Sequence, residues 1–247
     1  MGRGLVPEDG FMTSQTVLPP NSVRSAYEDF LEAFRTAIEG ANLNLSYPER
    51  PLKSSFVEAG GNDRAAFIWS FYLKDWPCKR LAKNQRLDVV VKAMETFTRP
   101  SWVLSKSTVY VNYFVVSDSA AKLVQSLHYD FVEGGQHDHP FFHVQLTDEL
   151  IPQEDLQNAG FDLSVAASGN ECWVTTRIPT PDMTLASVIY CLMADHLGSS
   201  GFSEFAENVE SIQNRIPAPS FEPIKKSLDA SAAHFKSSHW FSHMDGL

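Results

Sequence analysis

Apolar side chains first fall into a regular pattern at Val23, Tyr27, Phe30, Phe34 and Ile38, with Arg24, Glu28, Glu32 and Arg35 between them. Spacings of three and four put the apolar set on one side of a helix. Asn21 or Ser22 can cap its start and Gly40 can end it, so the pattern predicts an amphipathic helix over 21–40. Residues 1–20 have no periodicity and finish on Leu18-Pro19-Pro20, which reads as a flexible N-terminal arm.

Beyond the helix, 41–63 is broken by Pro48, Pro51 and Gly60-Gly61 and reads as loop with short extended pieces. Residues 64–75 are so densely apolar that period does not choose between helix and strand. In 86–98, Leu87, Val90, Val91, Met94 and Phe97 fit one helical face and Pro100 follows, so a helix is expected there. The character then changes. Residues 108–116 (TVYVNYFVV) are β-branched and aromatic, a strand signal. Strands over 127–133 and 141–146 should follow, flanking the loop Gly134-Gly135-Gln136-His137-Asp138-His139-Pro140. A further hairpin is expected over 161–167 and 172–178, turning at Gly169-Asn170.

Helical patterns return at Thr180-Pro181-Asp182, a cap followed by proline and an acid in the first turn. Leu185, Val188, Ile189, Leu192 and Met193 then share a face until Gly198. Residues 203–215 and 224–239 predict two more helices, separated by Pro217 and Pro219. Helices, then antiparallel strands, then helices make an α+β pattern. The expected architecture is a small antiparallel sheet of about four to five strands packed against helices from the N- and C-terminal parts, all within one domain over 21–247.

Composition narrows the function classes. The chain has 247 residues, 43% hydrophobic and 20% charged, enough for a core that needs no disulfides. Cys78, Cys172 and Cys191 are odd in number and widely spaced, which fits reduced thiols in a cytoplasmic protein. No apolar leader or membrane-length apolar run is visible, so no membrane partner is expected. A net charge of −10 makes nucleic acid an unfavourable partner. The 74–92 segment runs against that charge with Lys74, Lys79, Arg80, Lys83, Arg86 and Lys92, and reads as a solvated helix face with its flanking loop, or as a patch for an anionic partner. No Gly-rich dinucleotide turn, P-loop, HExxH helix, GxSxG elbow or EF-hand loop is present.

The chemistry concentrates at four of the eight histidines: His128, His137, His139 and His143 lie within sixteen residues. Strand alternation puts His128 and Asp130 on one face of 127–133, and Phe141, His143 and Gln145 on one face of 141–146. If the two strands pair with their apolar faces together, one register sets Asp130 against His143 and His128 against Gln145. The neighbouring register sets His128 against His143.

Three functional readings follow from that face. A divalent metal held by His128, His137, His139 and His143 would activate a water for hydrolysis. Without metal, Asp130 would orient His143 as a general base on a substrate or water, with His128 on the same face completing the catalytic set His128, Asp130 and His143. Alternatively the face is a recognition surface of a non-enzymatic interaction or ligand-binding protein, as is the 74–92 segment. Against all three stands the plain role of histidine as the polar side of a half-buried strand. Val132 and Phe141, if exposed beside the histidines, would suit a homodimer interface.

Weaker candidates are His239 and His243, four apart near the end of the chain, with His234 out of phase, and Cys172 with His143 or His196 as a Cys–His pair. The expected function is a hydrolase-type enzyme using His128, Asp130 and His143, with metal assistance as one variant.

Overall fold

The amphipathic stripe over 21–40 forms helix α1 (Asn21–Gly40), and all five of its apolar residues are buried. In the computed structural model of the chain, the described residues are 21–41, 44–46, 56–58, 63–78, 81–118, 120–132, 142–168, 183–196 and 199–210. Two short strands follow α1: β1 (Asn44–Ser46) and β2 (Phe56–Glu58). The ambiguous apolar run is strand β3 (Arg64–Trp76). Its Ala65, Phe67, Trp69, Phe71 and Leu73 enter the same core cluster as α1, with the Phe34 and Phe71 rings 5.2 Å apart.

Residues 86–98 are not the expected helix. They are strand β4 (Gln85–Thr98). Leu87, Val89, Val91, Ala93 and Phe97 alternate into the main core with the buried Glu95, while Val90 turns to a second core on the other face. A strand covered on both sides carries apolar residues at both parities, and here they coincide with helical spacing. The β-branched run Val89-Val90-Val91 favours the extended form.

Strand β5 (Val103–Ser117) and strand β6 (Ala120–Val132) extend well beyond the segments expected from sequence. Strand β7 (Phe142–Thr147) completes the expected hairpin. A short helix, α2 (Gln153–Asn158), and strand β8 (Ser164–Ser168) come next. Two further helices are α3 (Leu185–His196) and α4 (Ser199–Glu210). Helix α2 was not anticipated, being too short for periodicity to register. It ends at Gly160, whose φ of 89° strains any other residue, and an added Cβ would also force the Ser46 hydroxyl, 2.5 Å away, to shift. Helix α3 starts later than Thr180: Thr184 caps it, accepting the Ser187 N–H at 3.2 Å.

The architecture is α+β, and the sheet is larger than expected. Among the described residues, eight strands run in the order β1-β3-β4-β5-β6-β7, with β2 also on β3 and β8 also on β6. Of these, only β8 pairs in parallel. The difference arises because 64–75 and 86–98 are both strands and each outer long strand carries two short ones. Register shifts occur in four of the described ladders, β3–β4, β4–β5, β5–β6 and β6–β8, and such bulges bend a sheet.

Helices α1, α3 and α4 lie with the main core on one sheet face. On the opposite face, Ile151, Leu156, Ala159 and Phe161 cover Tyr72, Val90, Phe114 and Val116, forming a second, smaller core. Asn112 clamps this cover by accepting the Ile151 N–H at 2.8 Å and donating to the Glu149 carbonyl at 3.2 Å. The cover occupies only part of that face. Residues 1–20, the second arm of the expected 161–178 hairpin, the 180–182 cap and the 224–239 helix lie outside the described residues.

Candidate functional site

Beyond the part covered by 150–161, the second face holds a pocket of about 230 Å³ over the middle of the sheet. Its lining comes from three adjacent strands: Lys92 and Met94 from β4, Lys106, Thr108 and Tyr110 from β5, and His128 and Asp130 from β6. All seven are even-numbered, and the register shifts leave them in phase, so alternation aims them together. Two cross-strand rows result. Lys92 pairs with Tyr110 and Tyr110 with His128, while Met94 pairs with Thr108 and Thr108 with Asp130.

His128 approaches two of its neighbours in the lining. Its ring stacks on Tyr110 with centroids 4.3 Å apart and planes 11° from parallel. Its Nε2 lies 3.1 Å from Asp130 Oδ1. Asp130 is only 5% exposed, so its charge sits where solvent screens it weakly. Burial, reinforced by the charges of Glu149 and Asp130, pushes the Tyr110 phenol above its ordinary pKa, which keeps it a hydrogen-bond donor at neutral pH. At the border with the second core, Lys92 Nζ meets Asp155 Oδ2 of α2 at 2.6 Å. Thr108 is 5% exposed, and its Oγ1 has no hydrogen-bond partner among the described residues.

The hairpin adopts the first of the two registers that the pattern allows: Asp130 pairs with His143 and His128 with Gln145. His143 is thus set at the β7 position opposite Asp130. His137 and His139 lie outside the described residues, as do Cys172, His234, His239, His243 and Phe141. Among the described residues no group of three or more His, Cys, Asp or Glu side chains is placed to hold a metal ion. No helix among them is long and apolar enough to cross a membrane.

The basic 74–92 segment is not a helix face with a flanking loop. Its described parts belong to the end of β3, the 83–84 turn and the first half of β4, while Lys79 and Arg80 lie outside the described residues. Lys74 and Lys83 are exposed, Arg86 Nε binds the buried Asp88 at 3.0 and 3.1 Å, and Lys92 reaches the pocket.

Sequence reasoning did not find Lys106, Thr108, Tyr110 or Met94. For Thr108 and Tyr110 a signal existed, because they alternate with Val109 and Val111 in a recognised strand. What was lacking was the knowledge that β5 sits between β4 and β6.

The chain matches no family model, no curated protein and no solved structure. The chemistry of the site therefore rests on its geometry alone.

Proposed function

We propose that the pocket over β4, β5 and β6 is the active site of a hydrolase-type enzyme in which His128 is the general base and Asp130 orients it. One observation carries this reading: an imidazole in a concave pocket, stacked on Tyr110 and with its Nε2 3.1 Å from a buried carboxylate. A carboxylate beside imidazole both sets the ring's orientation and favours the imidazolium that forms when it takes a proton. In the proposed reaction His128 accepts a proton from a water as that water attacks the substrate's electrophilic centre. It then returns the proton to the leaving group, so both ring and carboxylate are regenerated. Tyr110, protonated at neutral pH, is placed to donate to developing negative charge. His143, opposite Asp130 in the ladder, is the third member of the proposed set.

The same pocket supports a second reading, reversible binding of a small ligand without turnover, because most of its polar lining groups are donors suited to recognition. Assays with activated carboxylic and phosphate esters separate the two. Under the enzymatic reading His128→Gln lowers kcat/KM by roughly 10²–10⁴ and Asp130→Asn by a comparable or smaller factor. Hydrolysis that survives both substitutions at the wild-type rate overturns it. A wild-type protein that binds such compounds but turns none over moves the site to the ligand-binding reading.

A further inference from the structure

Hydrogen-bond donors outnumber acceptors in the pocket. Lys92, Lys106, Thr108 and Tyr110 all carry N–H or O–H groups, and the lone carboxylate of the lining, Asp130, turns Oδ1 toward His128. Lys92 is engaged by Asp155 of α2. Lys106 forms no ion pair with a described residue, and it is half-buried at the far end of the pocket from α2. On a chain with a net charge of −10, a half-buried ammonium in this pocket that forms no ion pair with a described residue stands out.

Thr108 supplies an independent observation. It lies next to Lys106 on the same face of β5, 5% exposed, with Oγ1 unmatched among the described residues. A buried hydroxyl without a partner is destabilising, because it gives up its hydrogen bonds to water for none in the protein. Such groups are uncommon in native proteins, and each calls for an explanation. A valine would fill this strand position without the penalty, and its neighbours Val109 and Val111 show that β5 accepts valine readily. Lys106 and Thr108 together offer a charge and a directed donor to one acceptor-rich group.

We infer that Lys106 and Thr108 form an oxyanion subsite beside the His128–Asp130 pair, and that the molecule bound there is a compact carboxylate or phosphate compound. Calling that molecule the substrate rests on the hydrolase reading; its binding does not. Compactness follows from the volume, about 230 Å³, below the roughly 300–1,000 Å³ of pockets that hold drug-sized ligands. The anion belongs between Lys106 and Thr108, where one supplies the charge and the other a directed donor, while Asp130, opposite Thr108 on β6, has Oδ1 turned toward His128.

The test is an amide-shift NMR titration of the full chain at constant ionic strength with inorganic phosphate, acetate and, as a cationic control, tetramethylammonium. The subsite predicts saturable shifts at residues 106–110 with at least one oxyanion and none with the cation. Saturation by phosphate alone assigns a phosphate compound, and by acetate alone a carboxylate. Lys106→Met and Thr108→Val should each weaken binding about tenfold. Lys83→Met removes one exposed positive charge elsewhere and should leave affinity within about twofold. No saturable shift with either oxyanion, or equal affinity in wild type, Lys106→Met and Thr108→Val, overturns the inference. Oxyanion binding that persists while His128→Gln hydrolyses normally overturns the catalytic reading alone. Turnover that depends on His128 without any oxyanion binding overturns the subsite alone.

Discussion

Thr108 and Val109 are neighbours on β5 with opposite fates: Val109 fills the main core, while Thr108 brings a hydroxyl into an enclosed place with no described partner. If the hydroxyl serves a ligand, stability is being given up for it, and Thr108→Val should raise the unfolding free energy by about 1–2 kcal/mol. Urea denaturation would read this as a higher midpoint at unchanged slope. A lowered midpoint would show that the fold itself uses the hydroxyl. His128 and Asp130 were legible in the sequence because two residues apart on a strand means one face. Lys106, Thr108 and Tyr110 were not, although their own alternation is plain, because what makes them part of a site is the strand on either side of β5. Lys92 was counted among the basic residues and assigned to the wrong kind of element.

Strand β4 shows what an element's environment does to its pattern. With one face against α1 and α3 and part of the other against the 150–161 cover, it lost the clean alternation that would have marked it as a strand. Its Asp88 shows the same ambiguity, a fully buried carboxylate in an otherwise apolar run. The cross-strand partner explains it. Tyr72 Oη on β3 donates to Asp88 Oδ2 at 2.6 Å, the Asp75 N–H donates to Oδ1 at 2.9 Å, and Arg86 supplies the opposite charge. Burial, and then the adjacent Asp88, push the Tyr72 phenol far above its ordinary pKa. The folded-state value is raised, so the contribution is complete below the unfolded tyrosine pKa of about 10 and is lost as pH rises through the folded value. Tyr72→Phe should therefore cost about 1.5–3 kcal/mol at neutral pH, where Asp88 loses a donor. It should also show a shallower decline than wild type above pH ~10. Urea midpoints measured from pH 7 to 11 test both parts, and parallel curves for the two proteins would refute the second.

The two faces of the sheet are joined to their covers by buried polar groups from distant parts of the chain. Glu95 is fully buried, and Tyr27 of α1 donates to its Oε2. Its Oε1 accepts the Leu185 N–H at the start of α3 at 2.9 Å and lies 3.1 Å from the Ser107 hydroxyl of β5. One carboxylate thus ties α1 and α3 to the centre of the sheet, and it favours the helix N-terminus electrostatically. Glu95→Ala would take the acceptor from the Tyr27 hydroxyl and the Leu185 N–H and open a cavity, while Ser107 keeps the Met183 carbonyl, so a loss of about 3 kcal/mol is expected. Glu95→Gln keeps a carbonyl acceptor and should lose less. Thermal unfolding followed by near-UV circular dichroism distinguishes the two variants, and equal stability of Glu95→Ala and wild type would remove Glu95 from this role.

Local periodicity was enough to locate α1 with its buried stripe, the middle of β5, the pairing faces of β6 and β7, and the body of α3. In α1 and α3 the pattern is complete within one element whose apolar face meets the main core, and in β5, β6 and β7 the segments read from sequence carry strand composition or alternation of their own. The extent of the sheet, the strand nature of β4, the partners of Asp88 and Glu95, and the pocket itself depended on which elements lie side by side. Their defining contacts span long stretches of chain, 63 residues from Lys92 to Asp155 and 90 from Glu95 to Leu185. A side chain's pattern along the chain records how often it turns inward. What it meets there is set by the packing of segments whose proximity no local period encodes.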